Sequence, residues 1–156
     1  MNYPYFMMTN HEVERIIGAL FLFANLKHLL VSLLSLLVFG SYAEFLLGFK
    51  KMFIGFVMGG LGGSLLSCLM SDQPSVMGSN IPATFLGVLI GFMIIKWDKW
   101  DYPGSGRKQM LFVLTFGLVA MYSVGIAFPL VDSIAMSGSL IIGVLFFFGI
   151  YQDSNC

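Results

Sequence analysis

Five stretches of this 156-residue chain are each about 20 residues long and almost free of charge. They run at about Leu29–Gly48, Met52–Met70, Gly78–Trp97, Gln109–Phe128 and Ile134–Tyr151. A helix rises ~1.5 Å per residue, so ~20 apolar residues cross the ~30 Å hydrocarbon layer of a bilayer. No water reaches the backbone there, and a helix pairs its own amides and carbonyls along the segment. The five runs therefore predict an all-α polytopic membrane protein with about five transmembrane helices. A sixth apolar patch, Ile16–Phe23, is too short to span and reads as an interfacial or re-entrant segment.

Composition excludes the alternatives. The chain is 58% hydrophobic and 10% charged, against ~45–50% and ~25% in soluble domains. That excludes a water-soluble enzyme and a disordered chain. Eight basic residues balance eight acidic ones, so no basic excess points to nucleic acid. Cys68 and Cys156 give neither a disulfide framework nor a metal spacing. His11 and His28 stand without the Asp, Glu or Cys cluster that a metal or haem site needs. No cofactor is expected beyond structural phospholipids. Met1–Asn10 lacks the basic start of a secretory signal.

The linkers are short, so consecutive helices are antiparallel neighbours in one domain over residues 1–156. Residues 1–27 are an N-terminal and first-loop segment, 28–151 the helices and 152–156 a tail. With five crossings, Lys50, Lys51, Lys96, Lys99, Arg107 and Lys108 fall on one side, and Arg15 and Lys27 on the other. Basic residues favour the cytosolic side, which places the tail there. Trp97, Trp100 and Tyr102 mark the same boundary.

Small residues let helices approach in lipid. Gly59 and Gly63, Gly87 and Gly91, and Ser139 and Gly143 repeat an i,i+4 spacing in three spans. The first span carries Gly40, Glu44 and Gly48 at the same spacing on one helical face. The loop between the third and fourth spans is the most polar stretch. Its GSGRK lacks the spacing of a P-loop and reads as an interfacial turn. Alternatively, Lys96, Lys99, Arg107 and Lys108 gather an anionic lipid headgroup. Asp132 reads as a cap of the fifth helix.

The N-terminal half resembles a known family. His11-Glu12-Val13-Glu14-Arg15-Ile16-Ile17 is similar to the E-x-W-R loop motif of rhomboid intramembrane proteases. Ala19–Ser32, ALFLFANLKHLLVS, is similar to their F-x-H-x-x-x-x-H-L-x-x-N, and Gly40 to Gly48 to their G-x-x-x-E-x-x-x-G. The gaps agree, with 12 residues between Arg15 and His28 and 15 between His28 and Glu44. The resemblance implies a rhomboid-like helical bundle. It also implies structural motif positions at Arg15, His28, Gly40, Glu44 and Gly48, with Glu14 in place of the family's Trp. The family's first core helix has no counterpart here, so a helix of another polypeptide, or lipid, is expected on the vacated face.

Rhomboid proteases pair a serine, in Gly-x-Ser-Gly, with a histidine of the last core helix. The last-helix pattern H-x-x-G-x-x-x-G best fits Met136, Ser139 and Gly143, which puts Met136 at the base. A thioether takes no proton from a serine. The serine motif falls in Gly78-Ser79-Asn80-Ile81-Pro82. One register puts Asn80 at the nucleophile, another Pro82, and a third keeps Ser79 but loses both glycines. Of the oxyanion elements His28 is kept, while Ser32 replaces Asn and Phe23 replaces His.

The resemblance thus implies a pseudoprotease without catalytic residues, with Ser79, Asn80, Met136, His28 and Ser32 as degenerate positions. Its expected role is a structural or adaptor subunit in a membrane complex, with other membrane-protein subunits and lipids as partners. A derlin-like binder of membrane-protein clients is the alternative. An active protease, including one pairing Ser79 with His28, and an unrelated small transporter or channel subunit are further readings. An organelle membrane is expected, the mitochondrial inner membrane first and the endoplasmic reticulum second.

Overall fold

The computed structural model describes residue 18 and residues 21–70, 76, 78–97, 106–128 and 131–153. Among them are five helices: α1 (Leu26–Leu47), α2 (Phe49–Met70), α3 (Asn80–Lys96), α4 (Gly106–Ala127) and α5 (Ser133–Asp153). Each covers one of the five apolar runs. Asn25 starts α1, its side-chain oxygen accepting from the His28 amide at 2.8 Å, as an N-cap does. Gly48 ends α1. Its φ of 75° belongs to a conformation that glycine enters without a Cβ clash, and its N–H closes onto the Glu44 carbonyl at 2.8 Å. Phe49 begins α2 at once.

α1, α2, α4 and α5 are long and apolar enough to cross a membrane. α3 is the exception to the predicted Gly78–Trp97 span. Gly78 and Ser79 form a turn, and the helix has only 17 residues, or about 26 Å at the α-helical rise. The short length is tolerated because α3 is the central helix, packed against α1, α2, α4 and α5. It is buried from Asn80 to Leu89 without interruption. Irregular backbone at membrane depth is permitted where protein surrounds it.

The core is sorted as lipid requires. Ser32, Ser64, Ser67, Ser79, Asn80, Thr84 and Ser139 are buried, whereas Phe45 is 88% exposed and Ile126 85%. Lipid tails are as apolar as leucine, so close packing and hydrogen bonds hold the helices together. α3 and α5 meet through two glycines. A Cβ on Gly87 would strike the Leu140 carbonyl, and one on Gly143 the Thr84 carbonyl. On α2, Gly59 lies against the Thr84 side chain and Gly63 against Ser139. Ser139 Oγ donates to the Gly59 carbonyl at 3.0 Å. Gly91 is looser, with a Cβ position 3.1 Å from that of Phe147, and Gly40 meets Leu36 and Phe85 only at ordinary contact distance.

Connectivity leaves two distinct ends. The starts of α1, α3 and α5 and the ends of α2 and α4 share one of them. There Val76 and Val131 form a parallel bridge between loops, and the Gly78 amide donates to the Leu22 carbonyl at 3.2 Å. The ends of α1, α3 and α5 and the starts of α2 and α4 lie at the other, which carries Lys50, Lys51, Lys96 and Lys108; there Leu47, Lys51, Lys96 and Tyr151 line one recess.

Candidate functional site

The polar end holds a set of buried side chains. His28, in the first turn of α1, is fully buried. Its Nδ1 accepts the Ala24 amide at 3.1 Å, and its ring lies between Phe23 and Phe128 with centroids 5.6 and 5.8 Å away. A neutral imidazole has one donor and one acceptor nitrogen. With Nδ1 accepting, the hydrogen-bond pattern assigns the proton to Nε2. That Nε2–H is buried without a partner.

One turn further, Ser32 is also buried. It lines a small cavity with Val31, Ser35, Ser79, Pro82 and Met136. The cavity has about 10 Å³ of room, close to the minimum for a single water. Ser79 stands at the N-cap position of α3 yet makes no capping hydrogen bond, and its Oγ is buried without a partner. Asn80 is turned the other way, with Nδ2 3.4 Å from Ser64 Oγ on α2.

A second buried link ties α2 to α5. Asp132 Oδ1 accepts the Ile134 amide at 2.9 Å and the Ala135 amide at 3.0 Å, capping α5. Its Oδ2 accepts a short hydrogen bond from Ser67 Oγ. The cap is the role read from sequence. The serine partner was not legible, because it lies 65 residues away.

The structure therefore gathers His28, Ser32, Ser79, Asn80 and Met136 around one end of the central helix. The remaining motif positions do not join them. Gly40 is buried in mid-helix, and Glu44 is exposed at the far end of α1. Gly48 lies beyond the helix as its C-cap, so it does not continue the helical face expected for Gly40 and Glu44. Arg15, Lys99 and the Arg107 side chain lie outside the described residues, as does half of Ile16–Phe23. Lys108 is exposed, and Lys96 is half-buried with its ammonium 4.9 Å from the Tyr151 ring centre. No group of three metal-binding side chains occurs among the described residues.

Comparison with known proteins decides the family. The family model of the Rhomboid domain matches residues 10–153. This chain belongs to the rhomboid family. It is 30% identical to RHOMBOID-like protein 5 of Arabidopsis thaliana, over 88% of this chain and 43% of that one. It is 31% identical to Inactive RHOMBOID-like protein 8 of the same plant, over 85% of this chain and 36% of that one. RHOMBOID-like protein 6, mitochondrial, is 26% identical over 88% and 43%. The chain thus spans less than half the length of these relatives. No solved structure gives a significant match. Rhomboid membership and the apolar helices make this a multi-pass membrane protein, and set aside an unrelated transporter or channel subunit.

Proposed function

We propose that this rhomboid-family chain is catalytically inactive and works as a structural or adaptor subunit of a larger membrane assembly. One observation carries the reading: Ser79 and Met136 line the same small cavity. The registers with Ser79 or Pro82 at the nucleophile position put that residue in this cavity and the Asn80 register does not; of the two only Ser79 has a hydroxyl, with Met77 and Asn80 where the family motif has glycines. The shared cavity also puts a thioether beside the hydroxyl that a base would have to deprotonate. His28 is no substitute, because its Nδ1 is occupied and its Nε2 carries the proton. The likeness to a relative named inactive supports the same reading.

Partner subunits and lipid would share the outer faces, where Phe45, Phe112 and Ile126 stand exposed. An organelle membrane is part of the proposal, the mitochondrial inner membrane first, on the strength of the relative named mitochondrial.

The test of inactivity is labelling with a serine-reactive fluorophosphonate in detergent and in membranes. No labelling is expected; labelling that Ser79→Ala abolishes would overturn the proposal. Purification in mild detergent should bring stoichiometric partners, and a lone monomer would count against the subunit role.

A groove of about 470 Å³ between α1 and α4 favours a second reading, the binding of membrane-protein clients. Its walls, including Leu34, Val38, Phe112 and Phe116, are almost wholly apolar, and α4 packs chiefly on α3. A photo-crosslinker at Phe116 should then capture a client helix that one at Phe45 does not.

A further inference from the structure

The lysine-bearing end of the bundle holds a recess that the proposed function does not use. It has a volume of about 350 Å³ and is bounded by α1, α2, α3 and α5. Lys51, in the first turn of α2, and Lys96, in the last turn of α3, both line it. Tyr151 forms part of the wall, and the Lys96 ammonium lies over its ring. Leu47, Phe92 and Phe147 complete an apolar side.

The described side chains that line the recess include two lysines and no carboxylate. Among the described residues neither lysine is paired with a carboxylate, and Glu44 does not line the recess. Lys96 is half-buried, which removes part of the hydration that stabilises an ammonium. The aromatic face returns some of it, but a ring quadrupole carries no net charge. Two lysines from different helices that line one concavity fit an anion with several acceptor oxygens. The apolar wall beside them fits the hydrocarbon that begins a few bonds from a phospholipid phosphate.

We propose that this recess binds a phosphate group, with Lys51 and Lys96 as its two cationic contacts and Tyr151 holding Lys96 in place. The ligand chemistry is a phosphate ester or free phosphate. An anionic phospholipid headgroup is one source and soluble inorganic phosphate the other. The site lies a full length of α3 from Ser79 and Met136, so it is independent of what the small cavity does.

The test uses the full chain in a neutral detergent and native mass spectrometry. Phosphatidylglycerol is titrated against the wild type, the double variant Lys51→Gln/Lys96→Gln and the control double variant Lys50→Gln/Lys108→Gln. Each lysine near a charged lipid surface is worth ~1 kcal/mol, so loss of both should weaken binding roughly tenfold to thirtyfold. The control, which removes the same charge from lysines that do not line the recess, should change it less than about threefold. Equal weakening in both variants, or none in the first, overturns the proposal. Helical circular dichroism checks that the variants fold, and Lys51→Arg/Lys96→Arg must retain binding. Competition separates the sources. If millimolar inorganic phosphate displaces the lipid from wild type, the phosphate group alone is recognised; if not, the lipid's glycerol and chains are needed as well.

Discussion

A single added methyl separates two kinds of glycine in this protein. At Gly87 it would meet the Leu140 carbonyl, which is backbone and cannot rotate away. At Gly149 it would meet nothing within 4 Å. Overpacking a tight core costs ~1–3 kcal/mol where side chains can yield. Gly87→Ala has to separate two helices, so its cost should reach about 3 kcal/mol or more. Gly149→Ala relieves the ~1 kcal/mol penalty of glycine in a helix, and should be neutral or stabilising by up to that amount. Unfolding in mixed micelles with increasing sodium dodecyl sulfate measures both. Equal effects at the two sites would contradict the close approach of α3 and α5. The sequence marked Gly87 and Gly143 as packing residues through their spacing. It did not show that each faces a carbonyl of the other's helix, because spacing identifies a face and not its partner.

At the scale of elements, α5 depends on one carboxylate. Asp132 caps its first turn with Oδ1 and receives Ser67 Oγ from α2 with Oδ2. Asp132→Ala loses a cap worth ~1 kcal/mol and leaves a buried hydroxyl short of its acceptor, at ~1–3 kcal/mol. A total of about 2–4 kcal/mol is expected. Asp132→Asn keeps an amide oxygen for the cap and should cost less. A double-mutant cycle with Ser67→Ala should give a coupling of about 0.5–3 kcal/mol, and a coupling near zero would show that the two side chains do not share a bond. Helix positions were legible because each apolar run is about the length of a span and is bounded by Gly, Pro or polar residues. The start of α3 was not. Ser79 occupies the N-cap position without capping, so no capping signal separated the Ser79, Asn80 and Pro82 registers; Ser79 and Pro82 both line the cavity with Met136, and Asn80 does not. The loop carrying Arg15 resembled the family in sequence, but its contacts with the bundle lie outside the described residues.

Across the whole molecule, polarity divides along the bundle axis. One end gathers uncharged or hydrogen-bonded groups: Asn25, His28, Ser79 and the Ser67–Asp132 pair. The opposite end carries Lys50, Lys51, Lys96 and Lys108, while Lys27 alone among the described lysines lies at the first. Basic residues near the ends of spans are retained on the cytosol-like side during insertion, so this asymmetry predicts one orientation for all the helices together. Two exposed positions report it without disturbing a lysine: Gln109 in the first turn of α4, and Ser133 at the start of α5. In a background with Cys68→Ala and Cys156→Ala, Gln109→Cys and Ser133→Cys are each labelled in sealed vesicles with a membrane-impermeant maleimide. Gln109→Cys should react only from the cytosol-like face, and Ser133→Cys only from the other. Labelling of both from one face would mean that α4 does not cross the bilayer. Reaction with the sides exchanged would mean that the lysines do not orient the chain, and it would also move the proposed phosphate recess away from the leaflet richest in anionic lipid.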